Sequence, residues 1–195
     1  HIRRPHPDQV LITSGSSPAF LVAMSALLET GDELILSDPH YACHPNFVRF
    51  LGAVPRTIPV YEDDGFQYRP EDIRAALTPR TKAVLINSPN NPTGKVYRPE
   101  SLRALAEIMN RKSRQYGRPI YLLSDEPYRD IVYDGLQVPS VLKAYDNSLM
   151  AFSYSKSLSI SGERIGYIAV QPACEHLPDI MAGLVLCNRM LGFVN

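Results

Sequence analysis

Short apolar runs alternate with amphipathic ones along the whole chain, and this alternation restricts the fold more than any other feature. Val10-Leu11-Ile12 reads as a strand, about Ser17 to Glu29 as a helix, and Leu34-Ile35-Leu36 as the next strand. That is βαβ order. Ser16 or Ser17 would cap the helix, Pro18 suits its first turn and Gly31 lies just past its end. The pattern continues with a helix near Pro45 to Leu51, a strand near Thr57 to Val60 and a short helix near Pro70 to Leu77. A strand from Ala83 to Ile86 leads to a longer helix over Pro99 to Arg114. Strands at Ile120 to Leu123, Leu149 to Phe152 and Ile165 to Val170 then precede a last helix near Leu177 to Met190. Strands alternating with helices predict an α/β fold: a three-layer α/β/α sandwich with a mainly parallel sheet.

At 195 residues the chain suits one domain, 1–195, with a real core. Lys and Arg total 20 and Asp and Glu total 20, so no net field draws nucleic acid, an anionic membrane or a highly charged partner. Cys43, Cys174 and Cys187 form no CxxC pair and leave an odd count, which suits a reducing compartment and a cytoplasmic protein. No stretch approaches the roughly 18 uncharged apolar residues of a membrane helix, and His1-Ile2-Arg3-Arg4-Pro5 resembles no signal peptide. A start without Met and a close on Gly192-Phe193-Val194-Asn195 directly after a helical run suggest a domain incomplete at both ends.

In open α/β sheets, ligands bind beyond the carboxyl ends of the strands. There the chain places Thr13-Ser14-Gly15-Ser16-Ser17-Pro18, Asp38-Pro39-His40-Tyr41, the run Asn87 to Gly94, Ser124-Asp125-Glu126-Pro127-Tyr128, and Ser153-Tyr154-Ser155-Lys156. The first loop sets hydroxyls at a helix N-terminus, a ready phosphate seat. It lacks P-loop spacing, and in isolation a serine N-cap with a glycine turn explains it better. Lys156 lies among hydroxyls directly after an apolar strand, whereas Lys82, Lys95, Lys112 and Lys143 read as solvated. Desolvation and a nearby cation both favour a neutral, nucleophilic amine, and Arg164 lies eight residues on. Asp125 ends an apolar run, so its carboxylate enters a partly buried site that calls for a cationic partner. It is either a helix cap or the counter-ion of a protonated pyridine nitrogen.

Asn87-Ser-Pro-Asn-Asn-Pro-Thr-Gly94, Asp125-Glu-Pro-Tyr128 and Ser153-Tyr-Ser-Lys-Ser-Leu-Ser-Ile-Ser-Gly-Glu-Arg-Ile-Gly166 stand in that order. Over essentially its whole length the chain resembles the class I and II aminotransferases, fold-type I enzymes that use pyridoxal 5'-phosphate and include the aspartate aminotransferases. The resemblance implies that Lys156 holds the cofactor as a Schiff base and also moves protons, that Asp125 pairs with the pyridine nitrogen, and that Asn91 and Tyr128 bond the phenolic oxygen. Tyr41 would stack on the ring. Ser16, Ser17, Ser153 and Arg164 would hold the phosphate, with Gly15 shaping the turn; Ser155 more naturally packs or bonds locally. Ser161 stands where the family often has Pro or Ala.

The activity so implied is amino-group transfer between an L-amino acid and a 2-oxo acid, in a homodimer with its active site at the interface. Alternatives on the same motifs are a β-lyase, a decarboxylase, an aminocyclopropane-carboxylate synthase-like enzyme or a non-catalytic, cofactor-binding effector domain of a transcription regulator. The resemblance also implies that an N-terminal segment and a C-terminal small domain lie outside this chain, and with them the arginine for the substrate carboxylate. His40, Cys43 and His44 read as loop residues and predict no metal. Tyr121, Tyr128 and Tyr133 read as core and cofactor contacts rather than a base-stacking platform.

Overall fold

The computed structural model describes residues 6–192; His1–Pro5 and residues 193–195, with the expectations about the two ends that rest on them, lie outside the described residues. Seven strands form one sheet: β1 (Val10–Thr13), β2 (Glu33–Asp38), β3 (Val54–Pro59), β4 (Thr81–Asn87), β5 (Tyr121–Asp125), β6 (Ser148–Ser153) and β7 (Gly166–Val170). Their spatial order is β1-β7-β6-β5-β4-β2-β3. The pairs from β3 across to β6 are parallel, while β7 runs antiparallel to both β6 and β1. The expected mainly parallel sheet is thus present, with β7 reversed.

Apolar residues occupy consecutive strand positions because both faces are covered. Leu34 and Leu36 of β2, Leu85 of β4 and Leu123 of β5 join one core cluster. Ile35, Val84, Ile86 and Leu122, at the alternate positions, join the other; this is the period of two of a pleated strand. The first cluster is closed by α1 (Ser16–Leu27) and α7 (Leu177–Leu191), the second by α3 (Pro70–Ala76) and α4 (Pro99–Tyr116). Three short α-helices are also present among the described residues: α2 (Cys43–Phe50), α5 (Val141–Ala144) and α6 (Tyr154–Ser157). α4 shows why these boundaries fall where they do. Pro99 opens it, where a missing N–H costs nothing, and Gly117 closes it in the left-handed conformation at φ 68°.

Three expectations shift. Cys43 and His44, read as loop residues, lie in the first turn of α2. β3 begins at Val54, earlier than Thr57, because the whole segment pairs in register with β2 from Glu33 onward. The serine cap of α1 is absent: its N-cap is Gly15, with no side chain bonded to the free N–H groups. The hydroxyls of Ser16 and Ser17 are therefore spared for another use.

Candidate active site

Strand register brings the strand ends together. Asn87 closes β4 opposite Asp125 of β5. On the other side, Ser153 of β6 stands opposite Gly166 of β7, which in turn stands opposite Thr13 of β1. Because β7 is reversed, the loop before it, with Arg164, reaches the same rim as the loop after β1. A cavity of about 330 Å³ opens on this rim.

One end of the cavity is a concentration of donors. Ser16 and Ser17 line it at the start of α1, Ser153 and Ser155 at the start of α6, and Arg164 from the far side. Arg164, left-handed at φ 51°, is anchored by bonds from Nη1 to the Ser161 carbonyl at 3.0 Å and from Nη2 to the Ser14 carbonyl at 3.1 Å. Gly15, at φ 91°, lies directly behind: a Cβ there would stand 2.8 Å from Arg164 Nη2. Only glycine lets the loop pass that close. Ser155, expected to bond locally, does donate or accept at 2.9 Å with Ser153 Oγ, and it also lines the cavity. Unbonded helix N–H groups, hydroxyls and a guanidinium form a donor set suited to a phosphate.

Asp125 forms the floor. It is 5 % exposed, and its Oδ2 is 3.1 Å from His44 Nε2. Its other oxygen, Oδ1, has no partner among the described residues. A buried carboxylate oxygen without a donor is costly, and the position suits a protonated ring nitrogen. Asn91 Nδ2 and the Tyr128 hydroxyl converge at 3.5 Å on a second wall. Asn91 is fixed there because its own N–H donates to Asn87 Oδ1 at 2.5 Å, while Asn87 Nδ2 donates to the Asp125 carbonyl at 2.9 Å. Lys156 Nζ sits 5.7 Å from the Tyr128 ring centroid. Lys156 is exposed, on a four-residue helix at the mouth, so the anticipated desolvation is not found in this chain.

Tyr41 lines the cavity just before α2. The Cys43 side chain, with burial, raises its phenol above the ordinary tyrosine value. The edge of the Tyr41 ring meets His44, centroids 5.3 Å apart at 79°. All ten anticipated residues therefore gather at one place, nine on the lining and Gly15 behind it.

His44 was not anticipated as part of the site. It is 1 % exposed, wedged between Tyr41 and Phe20, and it backs Asp125. The only trace in the sequence is its position three residues after Tyr41. Asn87, Pro127 and Ser161 also line the cavity. Tyr133 is 77 % exposed, so it joins neither the core nor the cavity. Among the described residues, no group of three or more His, Cys, Asp or Glu is placed to hold a metal ion.

A mainly parallel α/β sheet thus brings an anion seat, a half-satisfied buried carboxylate and a rim lysine together at its strand ends. Comparison with known proteins gives the family. A family model described as "Aminotransferase class I and II" matches residues 3–191, and the chain belongs to that family. It is 39% identical over 161 residues to a "Probable aspartate/prephenate aminotransferase" of Thermus aquaticus, covering 83% of this chain and 40% of that protein. A solved aminotransferase structure from Eubacterium rectale superposes with a TM-score of 0.92 at 39% identity, over 96% of this chain and 47% of that one. The structure of Thermus thermophilus aspartate aminotransferase with maleate superposes with a TM-score of 0.83 at 33% identity, over 97% and 47%. The chain thus spans less than half the length of these relatives.

Proposed function

We propose that this chain is the cofactor-binding part of the large domain of a pyridoxal-phosphate-dependent aminotransferase that moves an amino group between an L-amino acid and a 2-oxo acid. The observation that carries the reading is Asp125 Oδ1, buried and unpartnered at the floor of a cavity that bears an anion seat and a lysine. When bound, the cofactor supplies an aldehyde carbon for covalent attachment and a ring that withdraws electrons from the substrate's α-carbon.

The chain's own residues do the rest. Ser16, Ser17, Ser153, Ser155 and Arg164 bind the phosphate and so fix the cofactor's position. Asp125 Oδ1 holds a proton on the ring nitrogen, and His44 keeps that carboxylate aimed. Asn91 Nδ2 and the Tyr128 hydroxyl would bear the negative charge of the phenolic oxygen, and the Tyr41 ring would help to hold the cofactor in place. Lys156 Nζ provides the covalent attachment and, once released, carries the proton to and from the substrate's α-carbon.

We read the intact protein as a cytoplasmic homodimer. The three free cysteines support a reducing compartment. The outward face of α7 supports association: Val185, Leu186, Met190 and Leu191 are all exposed.

Absorbance spectra of the full-length protein with pyridoxal phosphate, before and after adding amino acids, test the reading beside a Lys156→Ala variant. Wild type should show a bound-cofactor band that changes with an amino acid and yields a 2-oxo acid. Relatives named for aspartate make aspartate the first substrate to assay. The reading is wrong if wild type and variant give one unresponsive spectrum. Pyruvate with ammonia would indicate a lyase, and a stable band without product an effector domain.

A further inference from the structure

Glu126 and Arg129 flank Tyr128 in the sequence but take no part in lining the cavity. Glu126 follows β5 directly, is 1 % exposed, and its N–H donates to the Ala151 carbonyl of β6 at 2.9 Å. Ser124 Oγ donates to its Oε1 at 2.8 Å, and Arg129 Nη1 donates to its Oε2. Burial pushes this carboxyl above the ordinary value, against the pull of Arg129 and Ser124. The second arm of the guanidinium, Nη2, donates to the Val138 carbonyl at 3.0 Å. Residues 127–138 contain neither helix nor strand. One planar side chain therefore ties the end of β5 to the far end of an irregular segment, a role that suits arginine's rigid fork.

We propose that Arg129 and Glu126 are positioning residues whose pairing clamps segment 127–138 and so holds the Tyr128 hydroxyl at the cofactor's phenolic oxygen. The proposal rests on the cofactor reading above. Tyr128 is the third residue of the turn that the clamp closes, and the Arg129 N–H bonds back to the Glu126 carbonyl at 3.2 Å. Among the described residues, the Tyr128 hydroxyl has only a long contact to Asn91, 3.5 Å, to locate it from the cavity side. Displacing a positioned group by about 1 Å is enough to weaken its action.

The test uses the full-length protein in two forms. In the apoprotein, Arg129→Ala should speed amide hydrogen exchange across 127–138 by roughly tenfold or more while leaving the core strands protected. In the holoprotein, the pH midpoint of the bound-cofactor band should rise by about one unit, because a donor to the phenolic oxygen favours the deprotonated chromophore. That rise should vanish in a Tyr128→Phe background, and Arg129→Lys, which reaches one partner but not both, should recover part of it. Glu126→Gln, which keeps the shape, should behave like a weaker Arg129→Ala. Unchanged exchange with an unchanged midpoint overturns the clamp, as does a rise of equal size in the Tyr128→Phe background. Should wild type show no bound band at all, the cofactor reading falls, and the exchange arm still decides the clamp.

Discussion

Two buried carboxylates sit at opposite ends of the parallel strands, Glu33 where β2 begins and Asp125 where β5 ends. Glu33 is fully buried and saturated. Oε1 accepts from Arg56 at 3.2 Å and Arg80 at 2.9 Å, and Oε2 from Thr78 at 2.5 Å and Thr81 at 3.4 Å. Asp125 is almost as buried, yet among the described residues only Oδ2 has a partner. The chain satisfies the first acid with its own donors and leaves the second half-satisfied. A fold tolerates that cost where an oxygen faces a group from outside the chain, so the two inventories fit a structural role for Glu33 and the proposed cofactor-facing role for Asp125.

The sharpest way to break this comparison is to neutralise each acid without changing its shape. Asp125→Asn should lower kcat/KM of the full-length enzyme by roughly 10²–10³. Its Tm should hold or rise, since removing a half-satisfied buried charge relieves a cost that function imposes. Equal losses of activity and stability would show that Asp125 is a packing residue.

Glu33→Gln should do the reverse, costing about 2 kcal/mol of stability with kcat unchanged. Acidification gives a second measure. Burial pushes the Glu33 carboxyl up, but Thr78, Arg80 and Arg56 outweigh it and hold the group below its ordinary value. A folded value below the unfolded one contributes stability that is present above about pH 4.5 and lost as pH falls through the lower, folded value. Urea titrations from pH 6 down to pH 3 should therefore show wild type losing more stability than Glu33→Gln. Parallel curves would mean that the network does not favour the ionised form.

Much of the site was legible because its chemistry follows strand ends. Asn91, Asp125, Ser153 and Lys156 each follow an apolar run within a few residues, and the family resemblance of their motifs links them. What stayed hidden depends on tertiary approach. Strand order is one case: the reversal of β7 brings Arg164 beside Gly15, and no local pattern announces it. The hydroxyls of Ser16 and Ser17, which do not cap α1, are another, since a serine before a helix reads as a cap until Gly15 is seen in that place. Glu33 offered no signal, because its partners lie 23 to 48 residues away.

His44 is the clearest omission and the finest probe of the comparison. Facing a carboxylate, its Nε2 carries the hydrogen, and that leaves Nδ1 buried without a partner. The histidine thus inherits part of the cost that Asp125 carries, while Phe20 and Tyr41 hold its ring. His44→Phe should remove the one donor that the Asp125 carboxylate has among the described residues and lower kcat/KM roughly tenfold, a smaller loss than Asp125→Asn because the carboxylate itself survives. His44→Gln, whose amide nitrogen reaches about where Nε2 stands, should recover most of the loss. If Phe and Gln behave alike, His44 acts through the shape it fills beneath Tyr41, and Asp125 is aimed by its backbone alone.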